Sequence, residues 1–571
     1  MKHNNTLKWI ANTMGHSKWL VLFLTLIQIV LSVSSIFLAV GMRQVINAAV
    51  EEERSQFLIS VAMLTGILIL QIVLSALNRF LSEYTSATVE NLFKKKLFSS
   101  LLKGKYASVT AVHSGEWMNR LTSDTVVIAG GATQIIPGMI GMVVRLIGAL
   151  AAILWLEPRF FYILVPGGVA MFILTYIFRK ILKQMHKNIQ EADGLVRVFL
   201  QEHLESMLIV RTFAKEEQAI SQAEELMKKH KSARLKRNRF SNLCNIGFAG
   251  AMDGAYLLGI GFCGYGILTG TMSYGNLLAI IQLIGQVQNP FANITGYLPR
   301  YYSMIASAER LIEAENFELD SQISITEKQT FEFYQTEFIS INLEHVFFSY
   351  QSPVSEGKIE QTMPVVLRDV DFSINKGEYI VFTGPSGCGK STVLKLLMCL
   401  YSLDSGKCYM KTTRGNLQLT SEWKNLFAYV PQGNQLLSGK IREIVAFGNQ
   451  KQSQDDRAIR NALRIACAEE FVMALEKGLD TVLGERGQGL SEGQMQRIAI
   501  ARAVFSEHPI LMLDEATSAL DEMTAHRILN NLRLMTDKTV LLVTHRINQK
   551  FIFDKEFSFS KDGIQQIRRK E

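Results

Sequence analysis

The residues best suited to chemistry lie in the C-terminal part of this 571-residue chain. An apolar run at 379–383 is followed by a glycine-rich loop and then by residues that favour a helix. The loop and the start of the helix comprise Gly384, Pro385, Ser386, Gly387, Cys388, Gly389, Lys390, Ser391 and Thr392. In this strand–loop–helix context the glycines let the backbone wrap phosphates, Lys390 neutralises their charge, and the Ser391 hydroxyl ligates Mg²⁺. The segment therefore predicts a site for a nucleoside triphosphate and its metal ion.

Two adjacent carboxylates form a second reactive element. Asp514 and Glu515 follow the apolar run at 510–513, which reads as a buried strand. A buried carboxylate needs a partner, and at a phosphate site that partner is a metal ion or a reacting water. We therefore expect Asp514 to hold Mg²⁺, directly or through water, and Glu515 to be the general base that polarises the attacking water.

A third segment, GLSEGQ at 489–494, precedes a run of good helix formers. Small residues at a helix N-terminus present backbone N–H groups to an anion. Glu492 places a negative charge in the middle of that arrangement. We expect its side chain to turn away from the anion, toward solvent or toward a basic neighbour such as Arg497.

Two unlike halves of the chain must position these segments. Beyond residue 336, short apolar runs alternate with helical ones, as is typical of a largely parallel sheet with crossover helices. We assign 337–571 to an α/β P-loop ATPase domain that binds the nucleotide, and 315–336 to a polar linker.

The N-terminal half, 1–314, is predicted to be an all-α membrane domain. Hydrophobic residues make up 48% of the chain, and the apolar runs in this half are long enough to cross a bilayer. The predicted spans are about 19–42, 57–78, 132–156, 160–178, 243–269 and 276–299. The two long loops, after spans two and four, are predicted to continue the helices into the cytosol.

Basic residues orient these spans. Lysines and arginines accumulate in the loops after spans two and four, whereas the opposite side carries only Arg43, Arg54 and Arg159. Because positive residues collect on the cytoplasmic side, both termini and the ATPase domain are predicted to be cytosolic. The net charge of +8 is thereby assigned largely to a membrane surface. No nucleic-acid partner is expected, since the ATPase half has no basic stripe with interleaved aromatic residues.

A few polar residues inside the spans are candidates for a substrate cavity. Arg145 and Asp253 lie on parallel spans at depths that differ by only about 6 Å. They could form an interhelical ion pair, or one or both could face a substrate.

The sixth span also carries polar side chains on one helix face. The spacing of +4, +3 and +4 places Gln282, Gln286, Asn289 and Asn293 together, beside Pro290, where a kink is expected. These amides could join helices or line a hydrated cavity.

Taken together and in order, the motifs resemble those of the ABC transporter family. They are GPSGCGKST, Gln432 in YVPQ, LSEGQ, ILMLDE, SALD, and His545 in VTHR. The resemblance covers essentially the whole chain and points to the exporter half-transporters, which have six spans followed by one ATPase domain.

The resemblance implies roles for further residues. Tyr350 would stack on adenine, Gln432 would contact Mg²⁺ and the attacking water, and His545 would hold the γ-phosphate and Glu515. Asp521 would communicate across a dimer. Ser491, Gly493 and Gln494 would bind ATP held by the other subunit. The segments 114–124 and 208–217 would be helices that couple the ATPase to the spans, and 484–489 would contact the partner's coupling helix.

The function implied by the resemblance is ATP-driven export of a small molecule, peptide or lipid by alternating access, carried out by a dimer. A non-pumping ATP-gated channel or regulatory ATPase is the alternative, and a heterodimer is as compatible with one sequence as a homodimer. The compact layout favours a bacterial plasma membrane. Two departures from the family pattern stand out: a polar insert at 351–364, and the residues after Gln432, where an acidic and aromatic run is usual.

Overall fold

The computed structural model describes most of the chain. Backbone is described for residues 2–320, 325–350, 365–433, 436–449, 452–484, 489–545, 552–560 and 563–567. Within the helices, the side chains of 2–4, 163–177, 179, 180, 183, 248, 252, 255, 289–295 and 298 are not described. The chain divides into two compact units, Met1–Lys96 with Arg120–Leu311, and Leu97–Asn119 with Ile312–Glu571.

The first unit consists of helices. They are α1 (Lys2–Met14), α2 (Ser17–Val50), most of α3 (Arg54–Lys103), α6 (Thr125–Gly130), α7 (Ile136–Leu156), α8 (Phe161–Glu205), α9 (Met207–Thr212), α10 (Glu216–Leu268) and most of α11 (Tyr274–Glu315). π-Helical segments at Arg120–Asp124 and Gly131–Ile135 flank α6, and a short 3₁₀ turn, Pro158–Phe160, joins α7 to α8. This confirms the predicted all-α class of the N-terminal half.

In the described residues, four helical stretches are long and apolar enough to cross a membrane: Ser17–Val50, Arg54–Lys103, Ser114–Leu156 and Glu216–Leu268. They contain predicted spans one, two, three and five. Predicted spans four and six fall within α8 and α11, where part of the apolar side chains lies outside the described residues. The apolar window of α3 has no buried residue, and side chains such as Ile72 and Phe80 are largely exposed. Such a surface suits contact with lipid rather than water.

Close helix packing in this unit depends on small residues. On α2 the Ser32 hydroxyl donates to the Gly141 carbonyl oxygen of α7 at 2.9 Å. A Cβ at Gly141 would lie 2.5 Å from the Gln28 Cγ, so only glycine lets the helices approach this closely. Small residues at such contacts are typical of membrane helix pairs. Further along, Ala39, Ala149, Ile153, Cys263 and Leu283 form a buried cluster that joins α2, α7, α10 and α11.

The second unit contains the sheets. Its strands are β1 (Phe338–Ser349), β2 (Val365–Asn375), β3 (Tyr379–Thr383), β4 (Ser405–Thr412), β5 (Gly415–Gln418), β6 (Phe427–Val430), β7 (Gly439–Lys440), β8 (Val482–Leu483), β9 (Ile510–Asp514), β10 (Thr539–Val543), β11 (Lys555–Ser560) and β12 (Gly563–Ile567). Its helices are α4 (Tyr106–Thr110), α5 (Ser114–Asn119), α12 (Glu327–Thr336), α13 (Lys390–Leu397), α14 (Ile441–Val445), α15 (Asp456–Ile465), α16 (Glu469–Met473), α17 (Glu492–Phe505) and α18 (Glu522–Arg533).

The central sheet has the strand order β12-β11-β3-β10-β9-β6, and its strands are parallel except for β12. The predicted largely parallel α/β sheet is thereby confirmed. Its central strands, such as β9 and β10, are buried along their whole length, as parallel strands covered on both faces are. A second sheet, antiparallel with the order β2-β1-β4-β5, was not anticipated from the sequence.

The predicted linker is more ordered than its polar composition suggests. Its second half is α12, which begins with a capping box in which Thr326 and Gln329 bond reciprocally. Tyr334 of this helix is fully buried, and its hydroxyl lies 2.8 Å from the Thr539 hydroxyl at the start of β10. Part of the segment 315–336 therefore packs as an element of the second unit.

Candidate functional site

The phosphate-binding loop connects β3 to α13. Its glycines Gly384, Gly387 and Gly389 have φ angles of 132°, 80° and 95°, a region that favours glycine. A Cβ at Gly389 would also lie 2.6 Å from the Leu367 Cδ2. Lys390, only 5% exposed, donates from Nζ to the carbonyl oxygens of Gly384 and Pro385, both at 2.8 Å. The ammonium group therefore lies inside the loop, where a polyphosphate would need it.

Asp514, at the end of β9, lies against this loop. It is 1% exposed, and its two carboxylate oxygens have different partners. Oδ1 accepts from the Ser391 hydroxyl at 2.9 Å, and Oδ2 accepts from the Tyr429 hydroxyl at 3.0 Å. Burial raises the pKa of Asp514, the two hydroxyl donors oppose that rise, and the neighbouring Glu515 charge adds to it.

Glu515 is held on both sides of its carboxylate. Its Oε2 accepts from the Gln432 amide nitrogen at 2.8 Å, and its Oε1 accepts from the His545 Nε2 at 2.6 Å. The backbone of Glu515 has a φ of 52°, which is uncommon for a residue other than glycine. Its backbone N–H donates to the Val543 carbonyl at 3.1 Å. Backbone outliers of this sort concentrate at functional sites. The three predicted catalytic side chains thus come together beside Asp514 and the loop.

The donor set here suits a hard divalent cation. Ser391, Asp514 and Gln432 offer hydroxyl, carboxylate and amide oxygens, which are the ligands that Mg²⁺ prefers. In the described part of the chain, the buried Asp514 carboxylate forms no ion pair with a lysine or arginine. Among the described residues, its hydrogen-bond partners are the two neutral hydroxyls of Ser391 and Tyr429. A buried anion without a positive partner is costly, so a metal ion at this position would stabilise it.

Tyr350 lies at the rim of the same region. Its hydroxyl is 3.0 Å from the Thr392 hydroxyl on α13. Its ring meets Tyr401 edge to face at a centroid distance of 5.2 Å and Phe348 at 5.0 Å. The aromatic group predicted to stack on adenine is therefore fixed next to the helix that follows the phosphate-binding loop.

The GLSEGQ segment is at the start of α17. Ser491 and Gln494 form a capping box, with the Gln494 N–H donating to the Ser491 hydroxyl at 3.3 Å and the Gln494 side-chain oxygen accepting from the Ser491 N–H at 2.8 Å. Gly493 follows in the first turn. The Glu492 side chain is exposed, whereas Arg497 donates to the Cys467 carbonyl at 2.8 Å and stacks over Phe471. Of the two expectations for Glu492, the solvent-facing one agrees with the structure.

Asp521 is the N-cap residue of α18, directly before Glu522. Its carboxylate accepts from the Thr524 N–H at 2.9 Å and so caps the helix. That hydrogen bond lowers the pKa of Asp521. The hydrogen bonds of Asp521 and of the α17 capping box are all local, and none of them joins these residues to Lys390.

Sequence reasoning missed Tyr429. It stands three residues before Gln432 in the quoted motif YVPQ, but only the parallel pairing of β6 with β9 brings its hydroxyl to Asp514.

The candidate cavity residues differ in their exposure and in their hydrogen-bond partners. Asp253 is exposed and forms no ion pair with Arg145, both being described residues. The Arg145 Nε is buried and has no hydrogen-bond partner among the described side chains. Gln286 donates to the Ser35 carbonyl at 2.7 Å and accepts from the Ser35 hydroxyl at 3.1 Å, which joins α11 to α2. The Gln282 side-chain oxygen is buried without a hydrogen-bond partner among the described residues. The side chains of Asn289 and Asn293 lie outside the described residues.

The two predicted coupling segments are largely helical. The first, 114–124, comprises α5 and the π-helical segment Arg120–Asp124, with Trp117 buried and donating to the Val109 carbonyl at 3.0 Å. The second, 208–217, begins in α9, where Leu208 and Phe213 are 80% and 71% exposed. The predicted segment 484–489 has only its two ends among the described residues.

Comparisons with known proteins agree with this architecture. Residues 19–291 match the family model for the ABC transporter transmembrane region, and residues 367–518 match the family model described as ABC transporter. An ATP-dependent lipid A-core flippase of Alcanivorax borkumensis is 29% identical over 487 residues, which span 84% of this chain and 80% of the relative. A putative export ATP-binding/permease protein of Rickettsia felis is 27% identical over 502 residues, or 87% of this chain and 84% of the relative.

A solved structure has the same fold. A bacterial Atm1-family ABC exporter with ATP bound aligns with a TM-score of 0.75 at 18% identity, covering 96% of this chain and 94% of that one.

A P-loop ATPase with a helical membrane region in the same chain defines a transport ATPase. The chain belongs to the ABC transporter family, and its single membrane region followed by a single ATPase domain makes it a half-transporter of the exporter type. It is an integral membrane protein that binds ATP and couples ATP hydrolysis to transport.

Proposed function

We propose that this protein exports an amphipathic small molecule, peptide or lipid by alternating access, as a dimer of half-transporters. The observation that carries the proposal is the convergence of Ser391, Asp514, Glu515, Gln432 and His545 beside a phosphate-binding loop. This set provides the parts that ATP hydrolysis requires: a phosphate cradle, a metal site, and a base with two orienting groups.

Glu515 is the general base. It takes a proton from the attacking water, while Gln432 and His545 hold its carboxylate in place from opposite sides. Lys390 neutralises the β- and γ-phosphates from within the loop, and Tyr350 stacks on the adenine. Ser391 and Asp514, with Gln432, would hold Mg²⁺, which would supply charge neutralisation of the phosphate oxygens.

A second copy of the chain, or a related half-transporter, completes each site. Support comes from the location of Ser491, Gly493 and Gln494 in the first turn of α17, where the Ser491 and Gln494 hydrogen bonds close their own helix cap. The N-terminus of α17 is exposed, and its free N–H groups together with the helix dipole suit the γ-phosphate of an ATP bound by another chain. Asp521, close in sequence to Glu515, would link the two sites.

Binding and hydrolysis of ATP would then switch the membrane region between two orientations. The segments 114–124 and 208–217 would transmit that change, with the ATPase domain and both termini in the cytosol and the spans in a bacterial plasma membrane. Arg145, Asp253, Gln282, Gln286, Asn289 and Asn293 are the candidate substrate contacts. Among them, the buried Arg145 Nε and Gln282 oxygen are the strongest, since they have no partner in the described part of the chain and buried polar atoms in a membrane need one.

Glu515→Gln tests the ATPase assignment. Loss of a general base typically lowers turnover about 10²- to 10⁴-fold, so ATP should be bound and retained but barely hydrolysed. Glu476→Gln makes the same change in charge at an exposed position and should hydrolyse ATP normally. Full hydrolysis by Glu515→Gln would remove the base assignment.

Transport must be measured separately. Reconstituted vesicles should accumulate a labelled lipid, peptide or amphipathic drug against its gradient when ATP is supplied, and Glu515→Gln should not. Dissipation of the gradient on ATP addition would instead identify an ATP-gated channel. The mass of the native complex would distinguish a homodimer from a heterodimer.

A further inference from the structure

The Asp514 carboxylate is the buried negative group to which a metal ion at this site would be drawn. A carboxylate rotates easily about its last single bond, because that torsion joins an sp³ to an sp² carbon and has a broad energy profile. Two hydrogen bonds, one to each oxygen, fix the rotation in this structure. Ser391 donates to Oδ1 at 2.9 Å and Tyr429 donates to Oδ2 at 3.0 Å.

The sheet explains why a tyrosine at this position reaches Asp514. Strands β6 and β9 are parallel, with Tyr429 opposite Met512 and Val430 opposite Leu513. Because side chains alternate between faces, Tyr429, Met512 and Asp514 point to the same face of the sheet. Asp514 lies two residues beyond Met512, about 6.6 Å along the strand, a distance that the long tyrosine side chain spans.

No shorter side chain could take this role from β6. Strand β6 ends at Val430, and the next residue, Pro431, is level with Asp514 but has no hydrogen-bonding side chain. On the face it shares with Asp514, Tyr429 packs at the edge of the buried cluster that contains Met512, Phe382 and Leu394. Its ring is thereby fixed by packing, and its hydroxyl is directed at one oxygen.

Toward the Asp514 carboxylate the Tyr429 phenol acts as the donor, because an ionised carboxylate has only acceptor oxygens. The Ser391 hydroxyl differs, because it is itself a proposed metal ligand and its bond to Asp514 must change when a metal ion arrives. The Tyr429 bond has no such competing role.

We propose that Tyr429 is a positioning residue for the metal site: its hydroxyl holds Asp514 Oδ2 so that Oδ1 faces Ser391 and the metal ion. Tyr429 touches neither the metal nor the nucleotide in this scheme. The inference rests on the proposed metal site at Ser391 and Asp514, and it assigns to Tyr429 a role separate from the neighbouring Gln432.

Direct metal binding tests the inference. Mn²⁺ can report on the site by electron paramagnetic resonance, with the full chain in lipid nanodiscs, ATP present, and Glu515→Gln in all samples so that ATP is not consumed. Partners that orient a metal ligand typically change metal affinity 10- to 100-fold, so Tyr429→Phe should weaken Mn²⁺ binding about 10-fold. ATP binding measured in EDTA should be unchanged, because the substitution leaves the phosphate-binding loop and Tyr350 intact.

Tyr401→Phe is the matched control. It removes a tyrosine hydroxyl from the same aromatic cluster, but its ring contacts Tyr350 and not Asp514. It should bind Mn²⁺ as the parent does. Equal Mn²⁺ affinity in Tyr429→Phe and the parent, or an equal loss in Tyr401→Phe, would overturn the role of Tyr429 alone. Failure of the parent protein to bind Mn²⁺ with ATP would overturn the metal site itself, and the inference with it.

Discussion

A buried ion pair in the first unit allows a quantitative prediction. Asp124 is 3% exposed, and its carboxylate accepts from the Ser307 hydroxyl at 2.9 Å and from Arg310 Nε at 2.8 Å and Nη2 at 2.5 Å. Arg120 donates to the Arg310 carbonyl at 2.8 Å. The pair joins the π-helical segment Arg120–Asp124 to the C-terminal part of α11. We predict that Arg310→Leu destabilises this unit because it leaves a buried carboxylate with one donor.

The size of the effect follows from burial. Removing one partner of a fully buried pair costs about 3–5 kcal/mol. The Arg310 side chain is 43% exposed, so water screens part of the interaction and the lower end, about 3 kcal/mol, is expected. For a unit of this size the unfolding midpoint should fall by roughly 6–12 °C.

Thermal unfolding in detergent, followed by tryptophan fluorescence, measures the effect. Arg300→Leu removes an exposed arginine from the same helix and should leave the midpoint nearly unchanged. The double variant Asp124→Leu with Arg310→Leu should recover most of the loss, since it contains no unpaired carboxylate. The reasoning would be refuted if Arg310→Leu had the same midpoint as the parent. It would also be refuted if the double variant lowered the midpoint by more than the two single variants together.

Two further predictions concern the ATPase unit. Lys538 is 7% exposed and burial lowers its pKa to about 8, so the unfolded chain binds more protons between pH 8 and 10.5. Stability should therefore rise with pH in that window, by at most about 1.4 kcal/mol per pH unit. Lys538→Met should flatten the dependence of the unfolding midpoint on pH, measured at pH 7, 8 and 9. Ser491→Ala should lower the free energy of unfolding by about 1 kcal/mol through loss of the α17 cap, whereas Ser491→Thr keeps an oxygen acceptor and most of the stability. Equal midpoints for the two variants in thermal unfolding would contradict the capping role.

The parts of the fold that the sequence predicted are those set by local pattern. The glycines at 384–389 follow an apolar run and precede helix formers, and the structure has β3 and α13 on either side of that loop. Long apolar runs likewise predicted the helical membrane region. The antiparallel sheet β2-β1-β4-β5 was not predicted. Its β1–β4 pairing joins strands that are separated in the chain by β2, β3 and α13, and no periodic signal in the sequence identifies that partner.

Arg145 and Asp253 were predicted to lie at similar depths in the membrane, but depth alone does not decide whether their side chains meet. Equal depth in a membrane follows from counting residues, but the direction of a side chain around its helix does not. Asp253 is exposed on α10, and Arg145 directs its Nε into a buried position on α7. Tyr429 was missed for a related reason, because its distance from Asp514 depends on strand register rather than on spacing along the chain.

In the GLSEGQ segment, the glycine at position 493 satisfies two requirements at once. Gly493 suggested an anion site because small residues expose backbone N–H groups. In the structure a Cβ at Gly493 would lie 2.9 Å from the Ala519 carbonyl oxygen, so close packing alone requires glycine there.

Gln496, one turn further along α17, strengthens the same contact. Its side chain donates to the Ser518 hydroxyl and accepts from the Ala519 N–H, both at 3.2 Å. The N-terminal turns of α17 are therefore tied to the residues that immediately follow Glu515. If α17 shifted when it contacted the phosphate of an ATP bound by another chain, the segment that follows Glu515 would move with it. Gly493 is the residue that permits α17 and this segment to lie so close.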